Sequence, residues 1–359
     1  MKIFLISNMF PSKNDGLFGV FVKNFKEELE DHHITFSETA LIKGRAISTL
    51  KKIRNYSVHY FKIVSSFFKD YDLIYVHFIT HHIPILLILL PFKNKPWVLN
   101  AHGDDIIGLQ KSRFLNYFAV KILKKVDLIV VPTSYFKEKI LKNYPFIESS
   151  KVFISPSGGI SPKLFYKKKN IEENKVITLG FVSRFIEEKG WKTFLESLKL
   201  LQQNNVCFNA VIAGKGPDEE LIKDYIKKND INGTNFLGFV NQKDLVHLYN
   251  QLDLYIFPTY REGESLGLTG IEAMACGTPV IACNMAGPST YIKPGLNGYL
   301  FEPKNSNQLY KYIMSYISKN ELEKKKMIQE ALDTSKEYEQ KLVAKKLVIQ
   351  LNSIVNSVR

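Results

Sequence analysis

The chain has 359 residues, 45 % of them hydrophobic, which is more than one ordinary core holds and enough for two globular domains. No apolar run approaches the roughly 20 residues of a membrane-crossing helix; the longest, IPILLILLPF at 83–92, contains two prolines and reads as a buried or interfacial helix. The formal net charge of +14 is lopsided: residues 1–170 carry 26 Lys/Arg against 13 Asp/Glu, the remainder 23 against 22. One half is therefore expected to face something anionic, whether nucleic acid, lipid surface or phosphorylated substrate.

The N-terminal stretch MKIFLISNMF has too short an apolar core for a signal peptide and reads as a first strand. The spacing of Phe18, Phe21, Val22, Phe25 and Leu29 predicts a helix over 18–30. Further strands are expected at LIYVHF, WVLNAHG, DLIVVP and KVFISP, then at VITLGFV, NAVIAGKG, LYIFPT, TPVIAC and NGYLFEP. Near-continuous apolar strands alternating with amphipathic helices imply parallel sheets covered on both faces. The alternation breaks once, at the Pro-, Gly- and charge-rich stretch 155–175. The expected architecture is α/β with two facing, doubly wound, Rossmann-like domains, 1–165 and 170–335, and a cleft between them. The last helix, near 340–359, is expected to return to the first domain. Cys207, Cys276 and Cys283 show no CxxC spacing and read as core thiols in a reducing cytoplasm.

In open parallel sheets ligands bind at the carboxyl ends of the strands, so the loops there carry the functional reading. After the first strand, Gly16 and Gly19 precede a helix whose free N–H groups could meet a phosphate. After the second domain's first strand, Arg184 and Lys189 flank a helix start, a planar fork and a point charge suited to a diphosphate. Gly214 and Gly216 let the backbone approach a ligand after the next strand. The stretch YREGESLGLTGIEAMACGTPVIAC at 260–283 puts carboxylates in a Gly-rich loop and a short helix. Glu264 in the loop and Glu272 in the helix could accept hydrogen bonds from vicinal hydroxyls. The amides around Leu266, Gly267 and Leu268 are expected to point toward an anion. Together these suit a sugar carrying a phosphate.

EGESLGLTGIEAMACGTPVIA resembles the glutamate-x7-glutamate signature of the retaining glycosyltransferases of family 4, which have the GT-B fold. GFVSRFIEEKG, IAGKGP and AGPSTYIKPGLNGYLFEP resemble the family's neighbouring motifs; in the first half NAHGDDI and ISPSGGISPKLF match more loosely. The resemblance implies a nucleotide-sugar donor, with Arg184 and Lys189 on its diphosphate, Glu272 on the ribose hydroxyls and Glu264 at the anomeric centre. It also implies a Gly19 amide on the diphosphate and His102 on the donor sugar. It implies no cofactor and no metal, the Arg–Lys pair standing in for one; His77, His81 and His82 lack matching carboxylates. Thr290 stands where similar sequences often have Glu.

Two other readings remain. A nucleotide-sugar epimerase or a phosphorylase would keep the fold, but the Arg184–Lys189 loop and the glutamate spacing speak against both. A basic nucleic-acid-binding protein would suit the charge, but no such motif is present and the excess is confined to one half. The acceptor is expected to be a glycan or a lipid-linked saccharide of bacterial surface polysaccharide or glycolipid synthesis. The basic, aromatic-bearing stretch 43–72 has no acid before Asp70. It is expected to lie on an anionic membrane surface, placing the protein peripherally on the inner face of the plasma membrane.

Overall fold

The computed structural model describes residues 1–16, 18–168 and 176–358. Leu17 of the first glycine loop and the sequence-based domain start at 170 lie outside them. The chain forms two compact units, 1–159 with 340–359, and 160–339.

Unit 1 runs β1 (Lys2–Phe10), α1 (Val20–Asp31), β2 (Thr35–Lys43), α2 (Thr49–Phe67), β3 (Leu73–His77), α3 (Ile83–Leu89), β4 (Trp97–Asn100), α4 (Asp104–Lys111), α5 (Arg113–Leu123), β5 (Leu128–Val131), α6 (Ser134–Asn143) and β6 (Val152–Ile154). Its sheet is parallel, in the order β2-β1-β3-β4-β5-β6. The central strands are buried along their length, β3 at every position, because helices cover both faces. One face packs Phe4, Ile74, Val76 and Leu99 against α3 and α5 residues such as Leu86 and Ile122. The other packs Ile3, Leu5, Tyr75 and Val98 against Val22 and Phe25 of α1.

Unit 2 runs β7 (Ile177–Arg184), α7 (Trp191–Gln203), β8 (Phe208–Lys215), α8 (Glu219–Lys228), β9 (Thr234–Gly238), α9 (Gln242–Asn250), β10 (Leu254–Phe257), α10 (Leu268–Ala275), β11 (Val280–Cys283), β12 (Gly298–Phe301), α11 (Ser306–Ile317) and α12 (Glu321–Lys336). The parallel order is β12-β11-β10-β7-β8-β9. Residues 160–165, assigned from the sequence to the first domain, belong here: Ile160 and Phe165 are buried with Tyr249, Ile271 and Ala275. The last helix, α13 (Gln340–Val358), packs Ala344, Leu347 and Leu351 into the α1 face of unit 1.

Both sheets reverse winding once. In unit 1 the strand order turns between β1 and β3; in unit 2 it turns between β7 and β10. Such switch points are where the loops diverge and leave room for a ligand. One sequence expectation fails locally: Cys276 and Cys283 are buried free thiols, but Cys207 is exposed, just ahead of β8. It precedes the first sheet pair, so no facing layer covers it.

Candidate active site

Around the switch point of unit 2 the loops are stitched backbone to backbone. The chain after β7 makes a short 3-10 turn, Glu187–Lys189, and reaches Gly190, left-handed at φ 77°, which caps α7. A Cβ on Gly190 would lie 2.0 Å from the Pro258 carbonyl oxygen, so only glycine lets the β7 and β10 loops close on each other. The Tyr260 amide then donates to the Glu188 carbonyl at 3.0 Å. Gly214 does the same on the other side: its Cβ would lie 1.8 Å from the Ser183 carbonyl oxygen. The Phe185 amide donates to the Lys215 carbonyl at 3.0 Å. Three loops thus share one rim.

This stitching brings Lys189 and Glu264 together. They form an ion pair with both side chains largely buried, and the ammonium lies 5.8 Å from the centre of the Phe257 ring. The Thr259 hydroxyl sits 3.3 Å from Glu264 Oε2, and the Gly287 amide donates to the Glu264 carbonyl at 3.2 Å. A buried pair of this kind holds its geometry because either partner alone would be left uncompensated. Arg184, at the end of β7, is exposed. No carboxylate pairs with it among the described residues, which leaves its guanidinium open to an external anion.

Gly267, at φ 79°, caps α10. Its Cβ would lie 2.4 Å from the Phe257 ring, so the bend is again glycine-specific. Among the described residues the amides of Gly267 and Leu268 have no hydrogen-bond partner. Leu266, just before them, is buried and anchors the bend. Glu272 lies farther along α10, buried against α9. The Tyr249 hydroxyl donates to its Oε2 at 3.2 Å, and Gln242 also bonds the carboxylate. Burial outweighs these bonds and pushes the carboxyl up to about 7. Thr290, where similar sequences often carry Glu, donates its hydroxyl to the Gly287 carbonyl at 2.6 Å.

The unit 1 residues sit at that unit's own switch point. Gly19, left-handed at φ 70°, caps α1, and a Cβ there would lie 2.5 Å from the Met9 carbonyl carbon. His102 follows β4. Its Nε2 lies 2.9 Å from His77 Nδ1, its ring stacks on Phe78 with centroids 4.5 Å apart, and its amide donates to Asp105 at 2.8 Å. Burial holds the imidazole neutral, its pKa pushed down to about 3. The other histidines are also engaged: His82 pairs with His59, and His81 with Tyr56. Among the described residues no group of three or more His, Cys, Asp or Glu is arranged to hold a metal ion.

Sequence reasoning missed Thr259, Tyr249 and Gln242. Thr259 ended a quoted strand, but nothing in spacing linked α9 to Glu272; only the packing of the two helices does.

Comparison with known proteins decides the family. Residues 20–158 match the model for Glycosyltransferase Family 4, and residues 163–333 that for Glycosyl transferases group 1. The chain belongs to the family 4 glycosyltransferases. This glycosyltransferase is 25 % identical to an uncharacterized glycosyltransferase of Methanocaldococcus jannaschii over 90 % of each chain. It is 24 % identical to the capsular polysaccharide biosynthesis glycosyltransferase CapM of Staphylococcus aureus, over 76 % of this chain and 83 % of that one. Its fold is that of the sucrose-phosphate synthase of Thermosynechococcus elongatus, at a TM-score of 0.79 and 17 % identity, covering 99 % of this chain and all of the other. Anabaena HepE, solved with UDP, superposes at a TM-score of 0.75 with 18 % identity, over 98 % of this chain and all of that one. The fold is GT-B: two Rossmann-like units with parallel sheets.

Proposed function

We propose that this glycosyltransferase transfers a sugar from a nucleotide-diphosphate sugar with retention of anomeric configuration, onto a glycan or lipid-linked saccharide. The observation that carries the reading is the meeting of Lys189 and Glu264 at the unit 2 switch point, on loops that also carry the exposed Arg184 and the free amides of Gly267 and Leu268. Cations and amides suit a diphosphate; a carboxylate beside them suits the positive charge that develops at an anomeric carbon. Glu272 would accept from the ribose hydroxyls. The family resemblance assigns Gly19 the diphosphate and His102 the donor sugar. CapM's name supports a place in surface polysaccharide synthesis. No metal or other cofactor is invoked, the two cations carrying the diphosphate charge. Work at the cytoplasmic face, on an anionic membrane surface, belongs to the same proposal. It is supported by α2, described below, and by the absence, among the described residues, of any helix long and apolar enough to cross a membrane.

The test is a panel of nucleotide sugars screened for protection against thermal unfolding, UDP-sugars first because HepE binds UDP. A ligand present at about 100 times its Kd adds roughly 2.7 kcal/mol. NMR of the product made from the protecting donor then reads the anomeric configuration. An inverted product would remove the retaining mechanism, and a product formed only with added divalent metal would remove metal independence.

A further inference from the structure

Unit 1 carries the charge. Residues 1–159 with 340–359 hold 26 Lys/Arg against 13 Asp/Glu, whereas 160–339 hold 23 against 22. Part of that excess surrounds a cavity of about 710 Å³ between the end of β2 and the outer side of α2. Lys43, Lys51, Arg54 and Lys62 line it. None of the four has a carboxylate at ion-pair distance among the described residues. Between the cations stand apolar side chains: Leu50 and Val58 are 80 % and 60 % exposed, with Leu41 and Ile42 from β2. The first half of α2 buries nothing; its buried residues are His59, Ile63, Ser66 and Phe67. A solvated basic helix face does not need apolar walls between its charges, and a core-facing one would not leave them bare.

His59 adds a polar feature to this cavity. It is 3 % exposed and lines the cavity. His82 Nδ1 lies 2.7 Å from the Phe78 carbonyl, which can only accept, so that nitrogen carries hydrogen. Burial keeps His82 and His59 neutral, at about 3 and about 4. His82 Nε2 is then bare and accepts, and His59 Nε2 is the donor across their 3.0 Å contact. His59 Nδ1 is left as a bare acceptor, and it has no partner among the described residues. That nitrogen is closed off from solvent, so the chemistry the cavity itself offers is its four cations and apolar walls, which suit an anion carrying a hydrocarbon chain.

We propose that this cavity binds the headgroup of a single lipid phosphate: the phosphate among the cations Lys43, Lys51, Arg54 and Lys62, and the first carbons of the chain against Leu50 and Val58. That the lipid is the carrier of the acceptor saccharide rests on the transferase reading above; the binding itself does not.

Calorimetric titration of the full chain with farnesyl phosphate, inorganic phosphate and farnesol tests it. Farnesyl phosphate binds, and both fragments bind at least about tenfold more weakly, because each keeps only one half of the recognition. Arg54→Gln and Lys62→Gln each weaken farnesyl phosphate by about tenfold, the scale of one hydrogen bond to a charged group. Lys26→Gln, on α1, leaves it unchanged. No binding of farnesyl phosphate, equal binding of inorganic phosphate or of farnesol, or unchanged binding in both cavity variants overturns the assignment. Donor binding is titrated in the same preparations. If donor binds and farnesyl phosphate does not, the cavity assignment alone fails; if only farnesyl phosphate binds, the transferase reading fails and the cavity stands.

Discussion

The Lys189–Glu264 pair makes two demands on one carboxylate. Glu264 holds Lys189 now, and the proposed chemistry needs Lys189 on a phosphate and Glu264 at the sugar. Donor binding would exchange one partner for the other. Glu264→Gln should therefore tighten a bare nucleoside diphosphate by up to about tenfold, since Lys189 no longer pays for leaving its carboxylate, while turnover with the whole donor falls. Calorimetry with UDP beside a steady-state assay reads both; weaker UDP binding, or turnover within about twofold of wild type, would contradict the exchange. Glu272 gives a second pair of opposed effects. Its folded pKa, about 7, is raised above the ordinary 4.5. The stability this shift contributes is fully present below the unfolded value and is lost as pH rises through about 7. Glu272→Gln should thus be more stable than wild type at pH 8, by on the order of 3 kcal/mol at most, with no advantage near pH 4. Donor should meanwhile bind more weakly in the variant by roughly 1.5 to 3 kcal/mol. Thermal melts at the two pH values decide it: a variant equally stable at both means the carboxyl is not shifted.

At the scale of elements, the helix α2 is the least satisfied piece of the fold. Ser48 caps it, accepting from the Lys51 amide at 3.3 Å, but its first half buries no residue and reaches unit 1 through Tyr56, which bonds Asn8 and His81. Ile53 and Phe61 are exposed on the helix that carries the exposed Lys51, Lys52 and Arg54, the pattern of a helix that lies on an anionic surface. Each cation near such a surface contributes about 1 kcal/mol. Wild type should sediment with anionic vesicles at low salt and release at high salt; the triple change of Lys51, Lys52 and Arg54 to Glu should not sediment. Equal pelleting of the two proteins would exclude α2 as the anchor. The two strands that sequence patterning overlooked, β2 and β9, are both sheet edges. Their burial alternates or is partial, so TFSETALIK and TNFLG lack the continuous apolar run that betrayed the other strands.

For the whole molecule, the chain crosses between units twice, at 159/160 and at 339/340. The return is not decorative. Ala344, Leu347, Leu351, Ile354 and Val355 of α13 are buried with the α1 side of unit 1. At about 1.5 to 3 kcal/mol for each large side chain, removing them costs as much as a domain's whole margin of about 5 to 15 kcal/mol. A chain ending at Glu339 should lose unit 1 while unit 2 keeps its fold. Limited proteolysis reads this as a surviving fragment covering 160–339; protection of 1–159 in the shortened chain would show that α13 is dispensable.

Ten of the twelve described strands, the parallel α/β class, the family resemblance and the loops around Arg184, Glu264 and Glu272 were legible in the sequence, because each rests on local periodicity or on short contiguous motifs. Glycine positions were legible for the same reason, although their necessity was not: Gly190 is required by the carbonyl of Pro258 on another loop, and Gly214 by that of Ser183 on the neighbouring strand. Only the tertiary structure decided that Lys189 meets Glu264 across 75 residues, that Tyr249 of α9 holds Glu272, and that β2 and α2 leave a basic cavity with His59 inside it. Those contacts depend on strand order and helix packing, and a linear pattern carries neither. The sign of each charge is written in the chain; which charge it faces is set by the order in which parallel strands are laid side by side.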